Sequence, residues 1–163
     1  MLMFMMEEKR NYLKMDREKI DGYINHWLKE SPSNKIYIGW NEVEELVDKL
    51  CYQIKLDHSG IKYVHGLQRG GLIPAVLISH ILGLKYIDTP KHYEPEECLI
   101  VDDICDSGVT LERWKDYKTA VLHYKPHTAC ITPLINAFIH EGDEWIIYPW
   151  ERDDSETIQD YLK

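Results

Sequence analysis

The sequence predicts an α/β fold built on a parallel sheet covered on both faces. Three observations carry that prediction. Apolar runs of strand length ("IKYVHGL", "LKYID", "ECLIVDD", "TAVLHY") recur along the chain. Segments with helical spacing lie between them. Most of the runs are largely apolar rather than alternating, as strands buried on both faces are. The 163 residues amount to about one domain, long enough for a single sizeable core.

Residues 7 to 30 are charge-rich, with Tyr12, Met15, Ile20, Tyr23, Ile24, Trp27 and Leu28 at helix-like spacing. "SPSN" then punctuates the chain. The expectation is a helical extension over 1–34, followed by the main domain over 35–163. "KIYIGW" reads as a short strand. Asn41 is expected to cap the next helix, with Glu44 completing a capping box. That helix would bury Val43, Leu46, Val47, Leu50 and Ile54 on one face. "IKYVHGL" is a strand running into "QRGG", and "LIPAVLISHILG" a helix with Pro74 near its start and Gly83 at its end. "LKYID" and "ECLIVDD" are strands, a helix follows Thr110, and "TAVLHY" and "EWIIYPW" are the last strands.

Charge and composition narrow the function classes. The net charge is -9, from 28 acidic and 19 basic residues. Binding nucleic acid through phosphates favours the opposite balance. No apolar run reaches the ~18 residues of a membrane span, and "MLMFMMEEKR" lacks the layout of a secretory leader. A cytoplasmic protein with no membrane or nucleic-acid partner is expected. Cys51, Cys98, Cys105 and Cys130 show no paired spacing and read as reduced thiols.

"CLIVDDICDSGVTL" carries the chemistry. A buried strand runs into Asp102 and Asp103, and a third carboxylate, Asp106, opens a turn of small residues. Ligands of open α/β sheets bind beyond the carboxyl ends of the strands. Both aspartates can serve one ligand there only if the strand is ending. Backbone N–H groups in "DSGVT", ahead of a helix, suit a phosphate. The carboxylates beside it suit hydroxyls or a metal ion. "DDICD" also fits the D-D-x-x-D pattern of isoprenoid synthases, but those aspartates need a helix, and here a β-type run precedes them. A dehalogenase-type phosphatase needs aspartates two apart, and Asp103 and Asp106 are three apart. Walker A and G-x-G-x-x-G are absent. His123 and His127 are separated by Pro126 at a strand end, a poor metal pair. The eight histidines read as packing or surface residues.

The same stretch resembles the signature of type I phosphoribosyltransferases, which bind phosphoribosyl pyrophosphate (PRPP). "LQRGGLIPAVLISHILG" looks like the pyrophosphate loop and helix of the bacterial xanthine–guanine enzymes. "IYIGWNEVEELVDKL", "LKYIDT", "LHYKP" and "DEWIIYPWE" are similar to further segments of that subfamily, in the same order. The resemblance spans about Ile36 to Glu151. It implies a Rossmann-like parallel core with a small hood, and transfer of a phosphoribosyl group from PRPP to N9 of a 6-oxopurine. Asp102 and Asp103 would meet the ribose hydroxyls, directly or through Mg2+. Asp106, Ser107, Gly108, Val109 and Thr110 would wrap the 5′-phosphate, and Asp106 would exchange a proton at N7. Gln68, Arg69, Gly70 and Gly71 would form the pyrophosphate loop, with a cis peptide at Gln68–Arg69. Lys125 would meet the 6-oxo group. Trp145 would stack on the base and the backbone of Ile146 would bond its edge. Homodimers or homotetramers are usual in the family.

The pattern departs at "TPKHYEPEE", where the family carries a longer segment that folds over the site. Lys91, His92 and Tyr93 are candidates for a shortened lid; otherwise the N-terminal extension covers the site, or it is open. Pro126 to Glu144 contains no obvious glycine-rich purine loop. A non-catalytic PRPP- or nucleotide-binding regulator of the same fold is the alternative.

Overall fold

The computed structural model describes residues 35–151; the expected helical extension over 1–34 and the last residues, 152–163, lie outside the described part. The element order is β1 (Lys35–Tyr37), α1 (Trp40–Asp57), β2 (Tyr63–Gly66), α2 (Leu72–Leu82), β3 (Lys85–Tyr86), β4 (Cys98–Cys105), α3 (Val109–Glu112), β5 (Lys118–Tyr124), β6 (Ile135–Ile139) and β7 (Trp145–Ile147). Two 3-10 turns, Pro90–His92 and Pro95–Glu97, join β3 to β4. Strands β3-β2-β4-β5-β6 form one sheet in that spatial order, and every adjacent pair is parallel. β1 and β7 form a separate two-stranded sheet.

The two faces of the large sheet follow from side-chain alternation. Leu99, Val101, Ala120 and Leu122 point into one core, with Val43, Val47, Leu50 and Ile54 of α1 and Ala75 and Ile78 of α2. Ile100 and Val121, one residue out of phase, point into the other, with Leu67, Leu111 and Tyr124. The near-continuous apolar runs of β4 and β5 therefore report burial on both sides.

The helix over 40–57 buries the expected face and Cys51 as well. Its start differs from the expectation. Gly39, not Asn41, is the N-cap, and the N3 residue Glu42, not Glu44, reaches back: its Oε2 accepts the Gly39 N–H at 2.8 Å. A tryptophan at the first helical position hid the boundary, because Asn41 looked like the better cap. Glu42→Ala is expected to lower stability by about 0.5–1 kcal/mol, read as a small fall in the thermal midpoint with unchanged activity.

One strand was missed. β6 lies between "TP" and "HEGD", and Asn136 and Ala137 dilute its β character, although Ile135, Ala137 and Ile139 alternate. The connection from β3 to β4 lies against the amino end of the sheet. Tyr93 packs on Tyr63 with ring centroids 4.3 Å apart, and Tyr63 pairs with Cys98 at the first residue of β4. Lys91, His92 and Tyr93 are accordingly absent from the cleft at the carboxyl ends of the strands. Among the described residues no helix is long and apolar enough to cross a membrane.

Candidate active site

β4 continues through Asp102 and Asp103 to Cys105 rather than ending at the aspartates. Both still reach one cleft because the neighbouring strand stops first. β2 pairs with β4 only as far as Gly66–Val101, whereas β5 follows β4 to Cys105–Tyr124. From Asp102 onward one edge of β4 is free of its partner strand, and the cleft wraps around it. This cleft of about 360 Å³ falls in the range of small-ligand sites.

Asp102 and Asp103 lie deep in it. Asp102 Oδ1 accepts the Asp103 N–H at 3.0 Å, and Asp103 Oδ1 accepts the Ile104 N–H at 2.8 Å. Burial, and then the Asp103 charge beside it, raises the Asp102 carboxyl well above the usual carboxylate range. Burial, then the Glu151 carboxylate, pushes Asp103 up to about 6. A cation beside this pair would relieve the repulsion. Among the described residues no three His, Cys, Asp or Glu side chains are grouped to hold a metal ion. Two carboxylates nevertheless fit Mg2+, which commonly takes one or two from the protein and the rest from substrate phosphates and water.

The turn after β4 is shaped by Gly108, whose φ of +78° favours glycine. A Cβ there would also come within 2.9 Å of Ile131 Cγ2. Asp106, Ser107, Gly108 and Thr110 line the cleft, whereas Val109 does not and is exposed. Only four residues of helix, Val109–Glu112, follow, and Trp114 and Tyr117 then pack edge to face. Of the expected pyrophosphate loop, Gln68 lines the cleft, while Arg69, Gly70 and Gly71 do not. Gly70 backs onto the Asp103 carboxylate, and Gly71 onto Val101 O. The Gln68–Arg69 peptide is cis, where the resemblance implies one.

Lys125, Trp145 and Ile146 close the other wall. Lys125 follows directly on β5 and is buried. Its Nζ donates to Glu144 O at 2.8 Å and stands 3.6 Å from Asp106 Oδ2. That links the base-side lysine, the third aspartate and the segment leading to Trp145. Trp145 is 39 % exposed and Ile146 is buried, and both line the cleft.

Thr128, Tyr148 and Glu151, which sequence reasoning passed over, also line the cleft. Thr128 Oγ1 lies 2.7 Å from Asp106 Oδ1. Tyr148 Oη donates to Asp103 O at 3.0 Å and lies 2.8 Å from His123 Nδ1. The hydroxyl proton being engaged, His123 is assigned the Nδ1–H tautomer and donates to Tyr148. Burial lowers the His123 pKa to about 4, so the ring is neutral near pH 7. Glu151 Oε2 accepts the Tyr148 N–H at 3.0 Å. Trp150 stacks on Tyr148 with ring centroids 4.9 Å apart. Tyr148 thus ties the segment carrying Trp145 to the strand carrying Asp103.

No protein-family model matches the chain. The xanthine-guanine phosphoribosyltransferase of Chromohalobacter salexigens is 30% identical over 139 residues, 70% of this chain and 82% of that protein. The chain belongs to the type I phosphoribosyltransferases. The xanthine-guanine phosphoribosyltransferase of Cereibacter sphaeroides is 27% identical over 148 residues, 71% of this chain and 86% of that one. Among solved structures, the purine phosphoribosyltransferase of Pyrococcus horikoshii superimposes with a TM-score of 0.62 at 28% identity, covering 76% of this chain and 97% of its own. The expected α/β fold stands, and the chain is a transferase enzyme.

Proposed function

We propose that this phosphoribosyltransferase moves the phosphoribosyl group of PRPP to N9 of a 6-oxopurine, releasing pyrophosphate. One observation carries the reading: Asp106 Oδ2 and the buried Lys125 Nζ stand 3.6 Å apart in one cleft, beside an exposed indole. The N7 and O6 atoms of an oxopurine lie side by side on one ring edge. A proton acceptor and a cationic donor at this separation match them. Lys125 can only donate, so it selects an oxo over an amino substituent. The likeness to enzymes named for xanthine and guanine points the same way.

In the reaction the anomeric C–O bond breaks, the ribose ring gains positive charge and pyrophosphate departs with negative charge. Asp102 and Asp103 hold the ribose hydroxyls and place negative charge near the cationic ring. They would also hold Mg2+, which when bound neutralises charge on the pyrophosphate. Ser107, Gly108, Val109 and Thr110 offer the backbone turn for the 5′-phosphate, and the loop Gln68, Arg69, Gly70, Gly71 receives the pyrophosphate. Asp106 takes the proton that the purine sheds as N9 bonds to the sugar. Trp145 stacks on the base and the Ile146 backbone meets its edge, while ordering the two substrates together lowers the entropic barrier.

The test is pyrophosphate release from PRPP and Mg2+ with guanine, xanthine, hypoxanthine, adenine, uracil and orotate offered in turn. Release with one or more 6-oxopurines and none with adenine is expected. Lys125→Met should raise the KM of the accepted base by roughly tenfold or more, the worth of one hydrogen bond to a charged group. Silence with every 6-oxopurine overturns the reading.

A further inference from the structure

Asp106 is a half-buried carboxylate beside a buried ammonium, in the turn that follows β4. Left alone, it would close the 3.6 Å gap to Lys125 and form a contact ion pair. Both groups would then be taken up with each other rather than with a ring edge. At 3.6 Å the two are in ion-pair range without a direct hydrogen bond, and a third residue also engages the carboxylate. Thr128 stands three residues after Lys125, in the tight turn that leaves β5, where the Ala129 N–H donates to Lys125 O at 3.1 Å. Its hydroxyl has one proton and three acceptors within reach: Asp106 Oδ1 at 2.7 Å, Asp106 O at 3.0 Å and Lys125 O at 3.4 Å. The shortest, charge-assisted contact is to Oδ1. With Oδ1 engaged, Oδ2 alone is left facing Lys125 and the cleft.

We propose that Thr128 is a positioning residue for the transfer reaction: its hydroxyl grips Asp106 Oδ1, holds the carboxylate off Lys125, and reserves Oδ2 for the acceptor base. This rests on the reading of Asp106 as the proton acceptor. A second feature steadies the same turn. His127, next to Thr128, lies 3.1 Å from Asp143 Oδ1, across the loop that leads to Trp145. The turn is therefore tied to the base-side wall as well as to Asp106.

The experiment compares steady-state kinetics of Thr128→Val, Thr128→Ser and Asp106→Asn in the full chain, with PRPP and the preferred 6-oxopurine. Valine keeps the shape and removes the hydroxyl; serine keeps the hydroxyl. Thr128→Val is expected to lower kcat by about tenfold and raise the KM of the base, with the PRPP KM within about twofold, the scale of a misplaced catalytic group. Thr128→Ser should restore kcat to within about twofold of the parent. Unchanged kinetics in Thr128→Val, with kcat lost in Asp106→Asn, overturns the positioning role and leaves the reading of Asp106 intact. Equal loss in the valine and serine variants assigns the effect to packing of the turn and also overturns it. Full kcat in Asp106→Asn sinks the reading of Asp106, and the role of Thr128 with it. Should Thr128→Val melt early, Thr128→Ala removes the same hydroxyl and replaces it in the comparison.

Discussion

Asp106→Asn is expected to lower kcat at least tenfold, toward the roughly 10²–10⁴-fold that a positioned proton acceptor contributes, while the PRPP KM changes by less than about threefold. The substitution is close to isosteric. An amide oxygen at Oδ1 still accepts from Thr128, and the half-exposed side chain leaves no void in the core. What disappears is a carboxylate oxygen able to take a proton beside Lys125. Loss of kcat with PRPP binding intact assigns Asp106 to proton transfer. A parallel loss of PRPP affinity would instead assign it to holding the 5′-phosphate turn, and an unchanged kcat would remove it from the chemistry. The thermal midpoint should move little, which separates either outcome from unfolding.

Much of the sheet was legible because the strands buried on both faces, β4 and β5, leave an unambiguous apolar record. Leu99, Ile100 and Val101 cannot be solvent-facing in any register. α1 was equally plain from its spacing, and α2 from Gly83, while the start of α1 was not: a backbone cap at Gly39 has no side chain to announce it. β6 escaped because an edge strand needs only one apolar face, and Asn136 interrupts the run. The path from β3 to β4 was open from sequence, since nine residues can either cover a site or return beneath the sheet. The Tyr93–Tyr63 contact places it at the far end.

The candidate site divides along a similar line. Residues close in sequence, Asp102 to Thr110, declared themselves through an apolar run meeting carboxylates and a glycine turn. Lys125 and Trp145 were nominated by resemblance alone, and the fold brings both to the same cleft. Thr128, Tyr148 and Glu151 gave no usable signal. A threonine in a turn and a tyrosine in "IIYPW" have ordinary explanations until segments 22 and 45 residues apart are seen side by side. The free edge of β4 beyond Val101 is likewise a property of strand lengths, not of any residue in β4. That free edge explains how two neighbours of opposite alternation both reach one cleft.

Gly71→Ala tests how the loop before α2 depends on that edge. Gly71 is the residue on which α2 starts, with ordinary helical backbone angles, so no conformational strain follows from adding a side chain. The obstacle is space. A Cβ at Gly71 would overlap Val101 O and come within 2.8 Å of Leu67 N and 2.9 Å of Asp102 Cα. All three are main-chain atoms, so no rotamer change relieves the clash. Val101 O accepts the Leu67 N–H at 2.8 Å, the last hydrogen bond joining the loop to β4, and Gly71 N–H donates to Leu67 O at 2.9 Å. A methyl group must therefore push the loop off the strand, just where Asp102 and Asp103 begin. Overpacking of this kind costs about 1–3 kcal/mol, a fall of roughly 2–4 °C in the thermal midpoint per kcal/mol for a chain of this size. The functional effect should be larger, because the displaced loop is the one proposed to receive the pyrophosphate: the PRPP KM should rise by at least about tenfold, with loss of kcat as the leaving group is misplaced. Gly60→Ala is the control. A Cβ there meets nothing within 4 Å, and kinetics and melting should match the parent. A normal PRPP KM in a destabilised Gly71→Ala protein would separate the loop from pyrophosphate binding and leave Gly71 a purely structural contact between α2 and β4.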